Sequence, residues 1–127
     1  MSMKTPNNEI IIYYNPEHQN AKKVLAYARD ITPHIHEVEY TRSPVSNTIW
    51  RQLLAMLGDP DPKTLLNKAH PYYQQNLRGK EFNREDILNI INRNPEIIRS
   101  PIAVRGKVAV LCEQASDVLR LVKFQEA

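Results

Sequence analysis

The sequence predicts an α/β protein built on a mixed four-stranded sheet. Three observations carry that reading. A near-continuous β-branched and aromatic run at 9–14 is followed by a helix-period segment and a second strand-like run, which together form a β-α-β unit. Two short apolar runs, 102–104 and 108–112, flank Arg105-Gly106 and read as a tight hairpin. A last amphipathic segment follows that hairpin, so the element order is β-α-β, a helical stretch, then β-β-α.

Each element has a local reason. Glu9-Ile10-Ile11-Ile12-Tyr13-Tyr14 is apolar on both faces, as a strand covered on both sides must be, and Asn15-Pro16 ends it because proline cannot donate to a ladder. Ala21, Val24, Leu25, Ala28 and Ile31 recur at spacings of three and four, which places one apolar stripe on a helix. Lys22, Lys23, Tyr27 and Arg29 fall on its wetter side. Thr32-Pro33 breaks that helix, and His34 to Tyr40 alternates weakly as a second, partly solvated strand. A short β-α-β connection requires these two strands to run parallel.

The middle third is helical. Ser46 is placed to cap a helix whose apolar side chains are Ile49, Trp50, Leu53, Leu54 and Leu57, and Gly58 closes it. Asp59-Pro60-Asp61-Pro62 is a rigid loop, and Lys63 to Lys68 reads as one or two helical turns around Leu65 and Leu66. His70-Pro71-Tyr72-Tyr73 reads as a helix boundary with packing aromatics, and Arg78-Gly79-Lys80 as a break. Asn83, with Asp86 three positions on, starts a helix carrying Ile87, Leu88, Ile90 and Ile91, which Pro95 stops. After the hairpin, Gln114-Ala115-Ser116 is the N-cap region of a closing helix with Val118, Leu119, Leu121 and Val122. This order is that of a thioredoxin-like fold, with residues 46–94 as a helical insertion over one end of the sheet.

Composition bounds the function. The sequence has 127 residues, which fits one domain, 1–127, with residues 1–8 as a loose leader. The formal net charge is +3 without any run of five basic residues, so direct nucleic-acid binding is not expected. No apolar run approaches the length of a membrane span and the first residues hold no apolar signal core, so a cytoplasmic protein without a membrane partner is expected. Three glycines and no glycine-rich phosphate loop argue against a nucleotide cradle, and no cofactor is expected. His34 and His36 share a strand face, but two ligands fall short of a metal site, and none is expected. One cysteine, Cys112, forbids an intramolecular disulfide.

Several segments carry a family resemblance across residues 9–122. These are Asn15-Pro16 after the first strand and Pro60-Asp61-Pro62-Lys63-Thr64-Leu65-Leu66-Asn67-Lys68. They continue with Asn94-Pro95 leading into Ile97-Ile98-Arg99-Ser100-Pro101-Ile102, and Leu111-Cys112 before Val118-Leu119. In order and spacing the chain resembles the arsenate reductase (ArsC-like) family, which also contains the Spx-type transcriptional regulators. The resemblance implies a thioredoxin-like sheet and a cis peptide bond before Pro101. It also implies a site at the N-terminus of the first helix, where family members place a nucleophilic cysteine. Here that loop reads Asn15, Pro16, Glu17, His18, Gln19, Asn20, and His18 stands where the resemblance puts the cysteine. At the family's three anion-holding arginine positions stand Asn67, Ser100 (with Arg99 one place early) and Glu113.

Each candidate has a functional and a plain reading. His18 at a helix N-terminus contacts an anion or acts as acid or base, or else is a solvated loop residue. Cys112 is an accessible redox thiol or a small buried hydrophobe at the end of a strand. Arg99, Ser100 and Pro101 contact an anion or a partner, or Arg99 holds a carbonyl instead. Three functions follow from the resemblance. The first is a family member without the catalytic cysteine that binds or regulates a protein partner through the surface around His18, Gln19, Asn20, Arg99 and Ser100. The second is a residual reductase of the arsenate reductase type dependent on glutathione and glutaredoxin, with a small anion or glutathione as ligand. The third is a Spx-like regulator that binds RNA polymerase.

Overall fold

The computed structural model describes residues 8–124, with side chains to residue 122. These residues divide into two compact units: one runs up to Ser43 and resumes at Ser100, and the other is Pro44–Arg99.

The first unit holds the sheet. Strand β1 (Ile10–Tyr14) leads into helix α1 (Ala21–Ile31) and strand β2 (Ile35–Glu39). Strands β3 (Ile102–Arg105) and β4 (Val108–Leu111) form the hairpin. The strand order is β2-β1-β3-β4. β1 pairs parallel with β2, Ile10 opposite Ile35, and antiparallel with β3, Ile12 opposite Ala103. The hairpin turns at Gly106, whose φ of 60° lies in the left-handed region that glycine enters without steric cost. The mixed α/β sheet is therefore as expected from the sequence.

The core of this unit forms where the stripe of α1 meets the sheet. Val24, Leu25 and Ala28 pack in one buried cluster with Ile10, Ile12, Ala103 and Val110. Val118 and Leu121 close the cluster from the last segment, and Cys112 lies inside it. That segment, Ala115–Phe124, is a 3₁₀-helix and not the α-helix expected. It is bonded from its start in the tighter i to i+3 pattern, as in Asp117 N to Gln114 O at 3.0 Å, while the Asp117 carboxylate accepts the Gln114 N–H at 3.0 Å. Of the predicted leader 1–8, residues 1–7 lie outside the described residues. The carbonyl of Asn8 accepts the Thr32 hydroxyl at 2.7 Å.

The second unit is helical, as expected for 46–94. Helix α2 (Asn47–Leu57) is capped by Ser46, whose hydroxyl accepts the Ile49 N–H at 3.2 Å, and is closed by Gly58 at φ 86°. Helix α3 (Arg84–Arg93) is capped by Asn83, whose side chain accepts the Asp86 N–H at 2.8 Å. Trp50, Leu53, Leu54, Ile87, Leu88 and Ile91 form the apolar interior of the helical pair. Polar groups fix how α2 and α3 meet. The Trp50 indole donates to Asn92 at 2.9 Å, Asn92 donates to Asn47, and Asn47 donates to Asn89 at 2.9 Å.

Two details of this unit differ from expectation. The helical turn at 63–68 is a short 3₁₀ segment, Pro62–Leu65, after which Leu66 turns extended and bridges Ile98 antiparallel. The segment at Tyr72-Tyr73 continues into a π-helical turn, Tyr73–Leu77, closed by Arg78 N to Tyr73 O at 2.8 Å. No helix among the described residues is long and apolar enough to cross a membrane.

The caps of α2 make a direct test. Removing the Ser46 hydroxyl in Ser46→Ala is expected to cost about 1 kcal/mol of stability. Gly58→Ala costs about the same, although no atom stands within 4 Å of an added Cβ, because the cost there is the left-handed backbone alone. Urea denaturation of both variants measures these losses.

Candidate functional site

The loop between β1 and α1 is built from its own side chains. The Asn15 carboxamide accepts the Glu17 N–H at 3.0 Å, and the Asn15 carbonyl accepts the His18 N–H at 3.0 Å. The chain thus turns sharply after β1, and His18 arrives two residues before the helix N-cap, Asn20. There its Nδ1 accepts the Asn20 N–H at 3.2 Å, while its carbonyl accepts the Ala21 N–H at 3.1 Å. An Nδ1 that accepts must hold a lone pair, so the neutral imidazole carries its proton on Nε2. Partial burial pushes the imidazole below its ordinary pKa of 6.5, in the same direction.

His18 therefore takes up an amide at the N-terminus of α1, a place where oriented N–H groups favour anions. Asn20 ties the loop to the far end of the unit, donating from Nδ2 to the Glu113 carbonyl at 2.8 Å. Pro16, Glu17 and Gln19 are exposed, and Asn15, His18 and Asn20 are half-buried.

Ser100 and Pro101 lie in the same unit but inside it. Both are buried, which corrects the expectation that Ser100 belongs to a surface patch. The Ser100 hydroxyl and the Tyr40 hydroxyl are hydrogen-bonded at 2.6 Å, and burial pushes the Tyr40 phenol up to about 12. The Ser100–Pro101 peptide is cis, as the resemblance implied. The Pro101 carbonyl accepts the Cys112 N–H at 2.8 Å, which extends the β3–β4 ladder by one bond.

Cys112 follows β4 and is 0% exposed. Its thiol is pushed up to about 12, first by burial and then by the Asp117 carboxylate. A thiol in that state is buried and un-ionised at neutral pH, which fits the reading of Cys112 as a small buried hydrophobe.

Arg99 belongs to the helical unit. Its backbone N–H is donated to Leu65 O at 2.6 Å, and its guanidinium donates to Thr64 O at 3.1 Å, the carbonyl-holding alternative. Asn67 N donates to Ile97 O at 2.7 Å on the same extended stretch. Arg99, Asn67, Lys63 and Lys68 line an open polar pocket of about 650 Å³. Asp59 and Asp61 line it too. The Asp59 carboxyl is held below its usual range by hydrogen bonds from the Thr64 hydroxyl and the Asp61 N–H. Two carboxylates beside three cations make this a mixed surface and not an anion clamp.

Among the described residues no group of three His, Cys, Asp or Glu side chains could hold a metal ion. His34 and His36 are both exposed. Sequence reasoning missed Tyr40, the Asn20–Glu113 tie and the imidazole-to-amide bond of His18. Only the last has a local signal, a histidine two residues before a helix N-cap.

Comparison with known proteins agrees with this architecture. The model of the ArsC family matches residues 13–121. A protein of Rhizobium meliloti (strain 1021) described as arsenate reductase is 24% identical over 110 residues, which span 87% of this chain and 79% of that protein. Among solved structures, the "putative arsenate reductase from Yersinia pestis" superposes with a TM-score of 0.82 at 26% identity, covering 87% of this chain and 98% of its own. The arsenate reductase from Vibrio cholerae superposes at 0.81 with 19% identity, covering 89% and 97%. With a family match over most of its length and a thioredoxin-like sheet of the same form, this chain belongs to the ArsC family.

Proposed function

We propose that this protein is an ArsC-family member without cysteine-based reductase chemistry, which acts in the cytoplasm by binding a protein partner. The observation that carries this reading is the state of Cys112. The sequence holds one cysteine, and its thiol is wholly buried and pushed up to about 12. Reduction through a thiol needs a thiolate that can reach the oxidised substrate. The β1–α1 loop, where the family resemblance puts such a thiol, offers His18 instead, and its Nδ1 is already committed to an amide. What the loop retains is a hydrogen-bonded, outward-facing shape: exposed Pro16, Glu17 and Gln19 on a turn pinned at both ends by Asn15 and Asn20. Such a rigid exposed turn suits recognition by a partner, since little further ordering is needed on contact.

The decisive assay supplies arsenate with glutathione and glutaredoxin. Arsenite formation at the protein-free rate is the expected result, and turnover above it would restore the reductase reading. A pull-down with the intact protein and a second with a Glu17→Lys/Gln19→Glu variant address the partner. A co-purifying protein lost in the variant supports the loop as its contact.

The thiol itself can be read directly. In the folded protein Cys112 is expected to react with an aromatic disulfide reagent at least about 100-fold more slowly than in urea, because burial and the raised pKa both suppress the thiolate. Reaction at the denatured rate would show an accessible thiol.

His18 gives a pH dependence. Its native pKa lies below the unfolded value, so the unfolded chain takes up its proton first as pH falls. The loop's contribution to stability is therefore full above about pH 6.5 and declines as pH drops through that value toward the native pKa. A proton NMR titration of the His18 ring is expected to show a midpoint under 6.5, with faster Asn20 amide exchange once the ring is protonated. A midpoint at or above 6.5 would mean that burial does not depress this imidazole.

A further inference from the structure

The helical unit contains a second cavity that the family reading does not use. Leu66, Leu77 and Ile87, all buried, line it, with Tyr73 and Phe82 supplying two aromatic faces. Its volume is about 130 Å³. That is somewhat under the roughly 150 Å³ of a dry apolar cavity that accepts benzene, so a single ring is the upper limit of what it takes. Its wall includes the π-helical turn Tyr73–Leu77, a departure from α geometry that recurs at functional sites. Tyr73 and Leu77, four residues apart, both line the pocket.

The charged side chains lining this pocket are all positive, although Lys63 and Lys68 also line the neighbouring polar pocket with Asp59 and Asp61. Lys63, Lys68 and Lys80 complete the lining, all three are exposed, and no acidic side chain lines it. Among the described residues none of the three ammonium groups takes part in an ion pair. The carboxylates of that neighbouring pocket are oriented by their own loop: Asp59 by Thr64 and Asp61 N, and Asp61 by Lys63 N. Three lysines around an apolar hollow of ring size define a ligand with an apolar body and an anionic head.

We infer that this pocket binds a small aromatic anion, an aryl phosphate or aryl carboxylate, with the ring between Tyr73, Phe82 and Leu77 and the head against Lys63, Lys68 and Lys80. Ring and anion act together. The apolar walls add little to inorganic phosphate, and the lysines add less to a neutral ring than to an anionic head.

The test uses the full chain, isotope-labelled, with phenyl phosphate as probe and phenol and inorganic phosphate as controls. Expected are saturable amide shifts at Leu77, Lys80, Phe82 and Ile87, and binding of phenyl phosphate about tenfold or more tighter than either control. Affinity should also fall as salt rises from 20 to about 200 mM. Lys68→Glu/Lys80→Glu changes only exposed side chains and is expected to weaken the probe about tenfold at an unchanged melting temperature. Ile90→Phe, which fills the hollow from α3, is expected to abolish the ring-dependent part and leave the weak phosphate-like response. Equal binding of phenyl phosphate and inorganic phosphate, shifts confined to other residues, or an unaltered response in the lysine variant would each overturn the inference.

Discussion

Burial of β1 on both faces is the constraint on which the sheet unit rests. Ile10 and Ile12 are fully buried against α1, and Tyr13, on the opposite face, is 6% exposed. Each such side chain contributes about 1.5–3 kcal/mol when taken from water, and β1, like β3, has partners on both edges. A one-residue slip of β1 would put the isoleucines on the wrong face, so register and burial enforce one another. Because β1 is held so firmly, its C-terminal end is a fixed platform. Asn15 begins the loop there, and the loop inherits that rigidity.

The helical unit is organised differently. Its apolar interior is ordinary, but its orientation depends on a polar chain through Trp50, Asn92, Asn47 and Asn89. Arg51 and Glu85 add an exposed ion pair at 2.5 Å beside it, which holds the Glu85 carboxyl below its usual range. Apolar packing between two helices tolerates rotation, whereas hydrogen-bonded amides do not. The network therefore sets the geometry that packing alone leaves loose. An exposed pair such as Arg51–Glu85 adds little stability by comparison.

Much of the fold was legible because it is local. The Ser46 and Asn83 caps, the Gly58 stop and the Gly106 turn each depend on residues within four positions, and each is where the sequence puts it. The closing segment was misjudged for the same reason in reverse. Val118, Leu119, Leu121 and Val122 fit a helical period, but period does not separate α from 3₁₀ geometry over ten residues. The π-turn was invisible because the extra residue it accommodates leaves no local signature. At the site, the importance of the loop and of Cys112 could be read, but their states could not. The burial of Ser100 depends on Tyr40, sixty residues away, and that of Cys112 on three strands and two helical segments. Contacts over such distances have no trace in spacing.

The placement of Cys112 has a consequence for the environment in which this protein can operate. A thiol buried in one cluster with Ile10, Val24 and Leu121 is shielded from peroxide, glutathione and a second copy of the chain for as long as that cluster stays closed. Oxidation of this sulfur therefore requires the cluster around it to open first, which ties the thiol's chemistry to the stability of the sheet unit.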